Sequence, residues 1–233
     1  MFRFLLPALL LALAAPCATQ AQTVTEQHAP VAPTQAVLLN LKFATTIRVR
    51  PATDGQLRVR ATVDINQNTL NDAFQLRLSR TDSQLTVTSD LDQQRLAQAQ
   101  PGHCPDSASW YYGGGKNSAR VCATIVCEVT LPANTALRIS TINGNVEVQG
   151  LTGELSAKSI SGFVDVSWPA NRGAQVALKS ITGEVYASQS VAFQSQRYRS
   201  LVGHEVRGTL RGGAGPALRL ESISGDVFFR EAR

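Results

Sequence analysis

Past its first 21 residues, this 233-residue chain lacks long runs of helix-forming residues with a 3.6-residue period. That absence excludes a helical bundle, because bundle helices bury an apolar stripe at that period. The one short candidate, Leu91 to Ala99, is Gln-rich and fits a brief helix or a loop. Histidine is scarce: His28, His103 and His204 show no paired ligand spacing with the cysteines or each other, so no metal site is expected. No Gly-x-Ser-x-Gly elbow and no recognisable triad order occurs. The outward carboxylates Glu147, Asp165, Glu184 and Asp226 are scattered rather than grouped as an acid and its base. No catalytic residue, no cofactor and no enzyme activity is therefore expected. Lys and Arg exceed Asp and Glu by only 22 to 17, and they are spread along the chain. A nucleic-acid partner, which needs clustered cations, is not expected.

The opening residues carry their own pattern. Arg3 gives a positive start, Phe4 to Ala15 is apolar apart from Pro7, and small residues surround Thr19 and Ala21. Residues 1–21 thus have the layout of a secretory signal peptide. The apolar run is too short to cross a ~30 Å hydrocarbon core as a helix, and no later segment is apolar enough to do so. Cys17 sits where a lipid-modified cysteine could, but Pro16 occupies the place that normally holds a small residue. The expected product is an exported protein that does not span the membrane, located in the periplasm, on the outer surface or in the medium.

Residues 22–34 carry two prolines and little periodicity, as a mobile leader would. Alternation with period two then dominates 35–90: Val37-Leu39-Leu41-Phe43, Ile47-Val49, Leu57-Val59 on to Val63-Ile65, Phe74-Leu76-Leu78 and Leu85-Val87. This is the half-buried strand pattern, broken at Pro51, Asp54-Gly55, Asn71-Asp72 and Asp82-Ser83. Residues 91–122 differ, with Pro101-Gly102, Cys104-Pro105, Trp110-Tyr111-Tyr112 and a run of three glycines. They read as a long loop.

From 123 to 233 the sequence repeats. Thr141-Ile142-Asn143-Gly144-Asn145-Val146 recurs as Ser159-Ile160-Ser161-Gly162-Phe163-Val164, Ser180-Ile181-Thr182-Gly183-Glu184-Val185 and Ser222-Ile223-Ser224-Gly225-Asp226-Val227. A degenerate copy runs through Ser200 and Gly203 to Val206, and successive glycines lie 18, 21, 20 and 22 residues apart. An apolar pair precedes the four regular copies: Leu137/Ile139, Leu155/Ala157, Val176/Leu178 and Leu218/Leu220. A β pattern with a period near 20 residues implies stacked coils that share one core. The corner glycines Gly144, Gly162, Gly183, Gly203 and Gly225 are expected at φ > 0. An ordinary β-sandwich with similar hairpins is the alternative.

These copies of Ser/Thr-Ile-x-Gly-x-Val, entered from Val129-Thr130-Leu131-Pro132, resemble a bacterial family of exported putative adhesins. That family is a domain of unknown function related to the head domain of putative auto-transporter adhesins. The resemblance covers about residues 125–233, and more weakly the N-terminal strands. It implies an all-β, right-handed β-helix or β-solenoid-like stack of about five coils, with no established activity. The expected role is structural or adhesive, at the cell envelope, with an envelope polysaccharide or another envelope protein as partner.

Three features could carry specific binding. In an oxidising compartment Cys104, Cys122 and Cys127 should include one disulfide. Cys127 shares the parity of Ile125, Val129 and Leu131, so it is assigned to the core as a free thiol, which leaves Cys104–Cys122. Such a closure is worth ~3 kcal/mol in the chain-entropy model; three reduced cysteines are the alternative. Next, the residue before each motif reads Ser140, Lys158, Lys179, Arg199 and Glu221. Stacked in sequence order, Lys158, Lys179 and Arg199 would form a cationic ladder at ~4.8 Å spacing, suited to an anionic polysaccharide or lipid headgroups, or else simply a solvated face. Third, Trp110, Tyr111 and Tyr112 could stack on sugars or cap the open end of the coil stack. The final strand, ending at Arg233, is expected to be an exposed edge open to self-association.

Overall fold

The computed structural model describes residues 22–97, 109–112, 120–188, 190–193 and 203–232. The N-terminal part forms β1 (Thr23–Pro30), β2 (Ala36–Leu41), β3 (Thr46–Ala52), β4 (Gln56–Ile65), β5 (Phe74–Arg80) and β6 (Gln84–Leu91). A single helical turn, α1 (Gln93–Leu96), is capped by the Asp92 carboxylate, which accepts from the Gln94 and Arg95 amides. Then come β7 (Ser109–Tyr112) and β8 (Arg120–Pro132). The repeats supply β9 (Leu137–Thr141), β10 (Asn145–Gln149), β11 (Leu155–Ser159), β12 (Val164–Pro169), β13 (Ala174–Ser180) and β14 (Val185–Ala187). The chain ends with β15 (Ala192–Phe193), β16 (His204–Leu210), β17 (Ala217–Ser222) and β18 (Val227–Ala232).

These strands form two mixed sheets and no closed barrel. The first runs β1-β4-β8-β3-β10-β12-β18-β14, with β7 also paired to β8; the second runs β15-β16-β13-β17-β11-β9-β2-β6-β5. A strand of the second sheet leads into one of the first in β2–β3, β9–β10, β11–β12, β13–β14 and β17–β18, and each such coil lies parallel to its neighbours. The alternating apolar residues of both sheets meet in one core, with like positions in columns. Leu39, Ile139, Ala157, Leu220 and Leu178 form one column, and Val49, Val148, Val166, Phe229 and Ala187 another.

The coils do not stack in sequence order. β17 sits between β11 and β13, and β18 between β12 and β14, so the last coil is inserted between the two before it. A solenoid wound steadily along the chain would place β11 beside β13. The expected exposed C-terminal edge is also corrected, since β18 is paired on both sides. Self-association through that edge loses its basis. Residues 22–34 are not a loose leader either: β1 pairs antiparallel with β4 from Thr23 to Pro30. Its side chains are mostly exposed, so backbone hydrogen bonding holds it and hydrophobic periodicity could not reveal it. Within 91–122, α1 and β7 replace a continuous loop.

The motif itself has a different physical basis from the one its glycines suggest. Gly203 alone among the five corner glycines has a positive φ, 87°. At Gly162 a Cβ would overlap the Gly144 carbonyl; at Gly225, that of Gly162; and at Gly183, that of Gly225. Close approach of neighbouring backbones therefore excludes a side chain. The serine three residues earlier explains that approach. Ser159 Oγ accepts from the Gly162 amide at 2.9 Å and donates to the Gly144 carbonyl of the adjacent coil at 2.8 Å. Ser222 does the same between the Gly225 amide (2.9 Å) and Gly162 carbonyl (2.8 Å), and Ser180 between the Gly183 amide and Gly225 carbonyl, both at 2.9 Å. Thr141 ends the column on the Leu41 carbonyl at 2.9 Å. All three serines have no exposed surface, so each buried hydroxyl is satisfied by this relay.

Candidate binding face on the second sheet

The outward positions of the second sheet carry its charge. The column containing the expected ladder reads Asn40, Ser140, Lys158, Glu221, Lys179 and Glu205. Because the last coil is inserted, Glu221 separates the two lysines, and Lys158 Nζ lies 3.0 Å from Glu221 Oε1. Signs alternate from Lys158 onward, so a ladder of adjacent cations is not formed. Arg199 lies outside the described residues.

Two residues earlier in each parallel strand, and two later in antiparallel β16, the column is cationic. It reads Leu38, Arg138, Ser156, Arg219, Ala177 and Arg207 across β2, β9, β11, β17, β13 and β16. Arginines stand on every second strand, ~9.6 Å apart from the strand spacing. Small Ser156 and Ala177 leave notches between them. Here insertion of the last coil creates the pattern, by bringing Arg219 between Ser156 and Ala177. A groove of about 760 Å³ runs over this column, bordered also by Gln175, Thr209 and Glu154. Among the described residues Glu154 is the one carboxylate on its lining, against three guanidinium groups. Arg138 and Arg219 are exposed and form no ion pair among the described residues. Arg207 is held by Glu205, with Nε donating to Oε1 at 2.9 Å. A planar donor fork suits bidentate contact with carboxylate or sulfate groups.

The sequence contained this signal in the residues between the apolar pairs: Arg138, Ser156, Ala177 and Arg219. These positions lie two residues before the motif's flank, where the expected ladder stands. Of the other expected site residues, Trp110, Tyr111 and Tyr112 lie on β7, with Trp110 opposite Cys122 and Tyr111 opposite Val121 in the antiparallel pair. Their side chains, like Cys104, lie outside what is described. Cys127 is a buried free thiol, opposite Ile47 and Ala61 on the inward face. Burial pushes its pKa from 9.0 up to about 12. No group of three metal-ligating side chains occurs among the described residues, and no helix there is long and apolar enough to cross a membrane.

No protein-family model matches this sequence, and no curated protein does. Its fold is shared with a solved structure. A putative cell adhesion protein from Clostridium sporogenes ATCC 15579 superposes with a TM-score of 0.51 at 10% identity, covering 90% of this chain and 100% of that one. A putative adhesin from Bacteroides fragilis NCTC 9343 aligns with a TM-score of 0.29 at 10% identity, covering 90% and 98%. At such identity the likeness to the first is one of fold alone.

Proposed function

We propose that this protein is an exported, non-enzymatic, adhesin-like module that holds an acidic polysaccharide of the cell envelope. The observation that carries the proposal is the alternating arginine column Arg138, Arg219 and Arg207 in its open groove. A linear glycan with an acidic group on every second sugar offers a matching one-dimensional array of charges. Adhesin-type naming of the protein that shares the fold supports the role, and the signal-like residues 1–21 support export to the periplasm, surface or medium. In the same proposal the coils wind right-handed, as connections between parallel strands of one sheet nearly always do.

Retention on immobilised hyaluronan, which carries a carboxylate on every second sugar, tests the binding. The wild type should elute with rising salt, as screening weakens exposed charge contacts. Arg138→Ser with Arg219→Ser should abolish retention, whereas Lys158→Ser with Lys179→Ser should leave it. Equal retention of all three proteins would refute the arginine column, and preferential binding to anionic lipid vesicles would replace the glycan by a membrane surface.

A further inference from the structure

The outer face of the first sheet bears a second feature, remote from the arginine column because the shared core lies between the two sheets. Tyr186 and Phe228 are register partners on β14 and β18, and their rings stack with centroids 5.0 Å apart at 7°. Phe228 is fixed from two other directions. Phe163 meets it edge-on at 6.2 Å and 81°, and the Arg230 guanidinium lies 4.7 Å from its centroid. Arg230 is in turn held by Asp165, with Nε donating to Oδ1 at 2.9 Å. Tyr186 therefore stands on a pre-set support and loses little freedom if a ligand joins the stack.

Its other side is open. β14 ends the first sheet, so no described strand lies beyond it, and Tyr186 is 51% exposed. Among the described residues no ring or guanidinium group continues the stack on the outer face of Tyr186. An open groove of about 890 Å³ runs from Tyr186 inward past Phe228 towards β3, and its border includes Arg230, Glu231, Ser167, Gln149 and Arg50. Arg50 forms no ion pair among the described residues. An apolar side chain of a partner protein would need an enclosed pocket, and this groove supplies none. What it supplies is one aromatic face at the sheet edge, with hydroxyl, amide and guanidinium groups and the Glu231 carboxylate spaced along the groove behind it.

We propose that Tyr186 is the stacking platform of a second binding site, specific for a pyranose ring of a polysaccharide. The C–H face of one sugar packs on the exposed tyrosine face at the sheet edge, while Ser167, Gln149 and Arg50, two to four strands inward, address later sugars of a polymer that continues along the groove. The site does not depend on the arginine column, so the outer faces of both sheets would contact glycan, and one polymer or two could be bridged.

A printed array of neutral and acidic microbial glycans, with peptide and single-stranded DNA spots included, tests this with the full mature protein. Some glycan signal should fall roughly five-fold or more in Tyr186→Ala, as the loss of one stacking contact implies. It should survive in Tyr186→Phe and in the Arg138→Ser, Arg219→Ser variant. Circular dichroism and melting temperature of Tyr186→Ala, an exposed site, establish that the fold is intact. The proposal is overturned if no glycan signal depends on Tyr186, if Tyr186→Phe loses as much as Tyr186→Ala, or if the Tyr186-dependent signal is on peptide or DNA. If every glycan signal is lost with the arginines and unchanged in Tyr186→Ala, the first site is upheld and the second removed.

Discussion

Lys158 Nζ lies 3.0 Å from Glu221 Oε1, although 63 residues separate them in the chain. As a partly exposed ion pair it contributes ~0.5 kcal/mol. Its importance is positional, because it places β17 directly against β11.

That placement can be trapped covalently. Lys158 and Glu221 are Cα partners on adjacent parallel strands, within the ~4.4–6.8 Å that a disulfide spans. Lys158→Cys with Glu221→Cys should form an intramolecular disulfide on oxidation, whereas Lys158→Cys with Lys179→Cys should not. Peptide mapping by mass spectrometry distinguishes them. A cross-link only in the second pair would restore stacking in sequence order.

Removing a hydroxyl from the buried column should cost more than its size suggests. Ser222→Ala leaves both the Gly225 amide and the Gly162 carbonyl without this partner, for about 1–3 kcal/mol of stability. Ser224→Ala, at an exposed position two residues on, should change stability by less than ~0.5 kcal/mol. Urea denaturation of the two variants reads the difference.

Adding a methyl group at the corner should be worse. Gly162→Ala drives a Cβ into the Gly144 backbone, which cannot retreat without breaking the coil stack. The expected loss is roughly 3 kcal/mol, at the upper end for overpacked sites. If the mutant melts with the wild type, close backbone approach is not what reserves this position for glycine.

Cys127 makes stability fall in alkali. Its thiol ordinarily titrates at 9.0, and burial raises this to about 12 in the fold. The neutral thiol is thus favoured in the folded state, and its full contribution is present below pH 9. As pH rises from 9 towards 12 the unfolded chain gains a thiolate that the folded chain cannot form, and stability declines. Cys127→Ala should flatten this part of the pH–stability curve measured by urea titration. Native Cys127 should also resist alkylation until the protein unfolds, and mapping of the unreduced protein should recover Cys104 joined to Cys122.

Much of the fold was legible because strand periodicity is local. The alternation in 35–90 and 123–233 located β2 to β6 and the repeat strands, and the parity of Cys127 placed it in the core. Less visible was β1, which is held by backbone bonds to β4 and carries few apolar residues. The coil β2–β3 has no Ser-Ile-x-Gly signature, yet Ala44 occupies the corner where the next coil has Gly144, with its carbonyl against it. Each binding surface depends on neighbours far apart in sequence. Residue type at every outward position could be read, but which residues touch could not.

The sequence by itself determined an all-β chain built of coils, with inward and outward positions assigned by a two-residue period and corners marked by Ser-Ile-x-Gly. Only the tertiary structure decided the order of those coils. Alternation is a property of one strand and its own backbone, whereas adjacency is settled by which coil can bury its edge against which other. Inserting the last coil between two earlier ones turned the expected lysine ladder into alternating charge. The same insertion set arginines on every second strand of one face, and joined Tyr186 to Phe228 on the other.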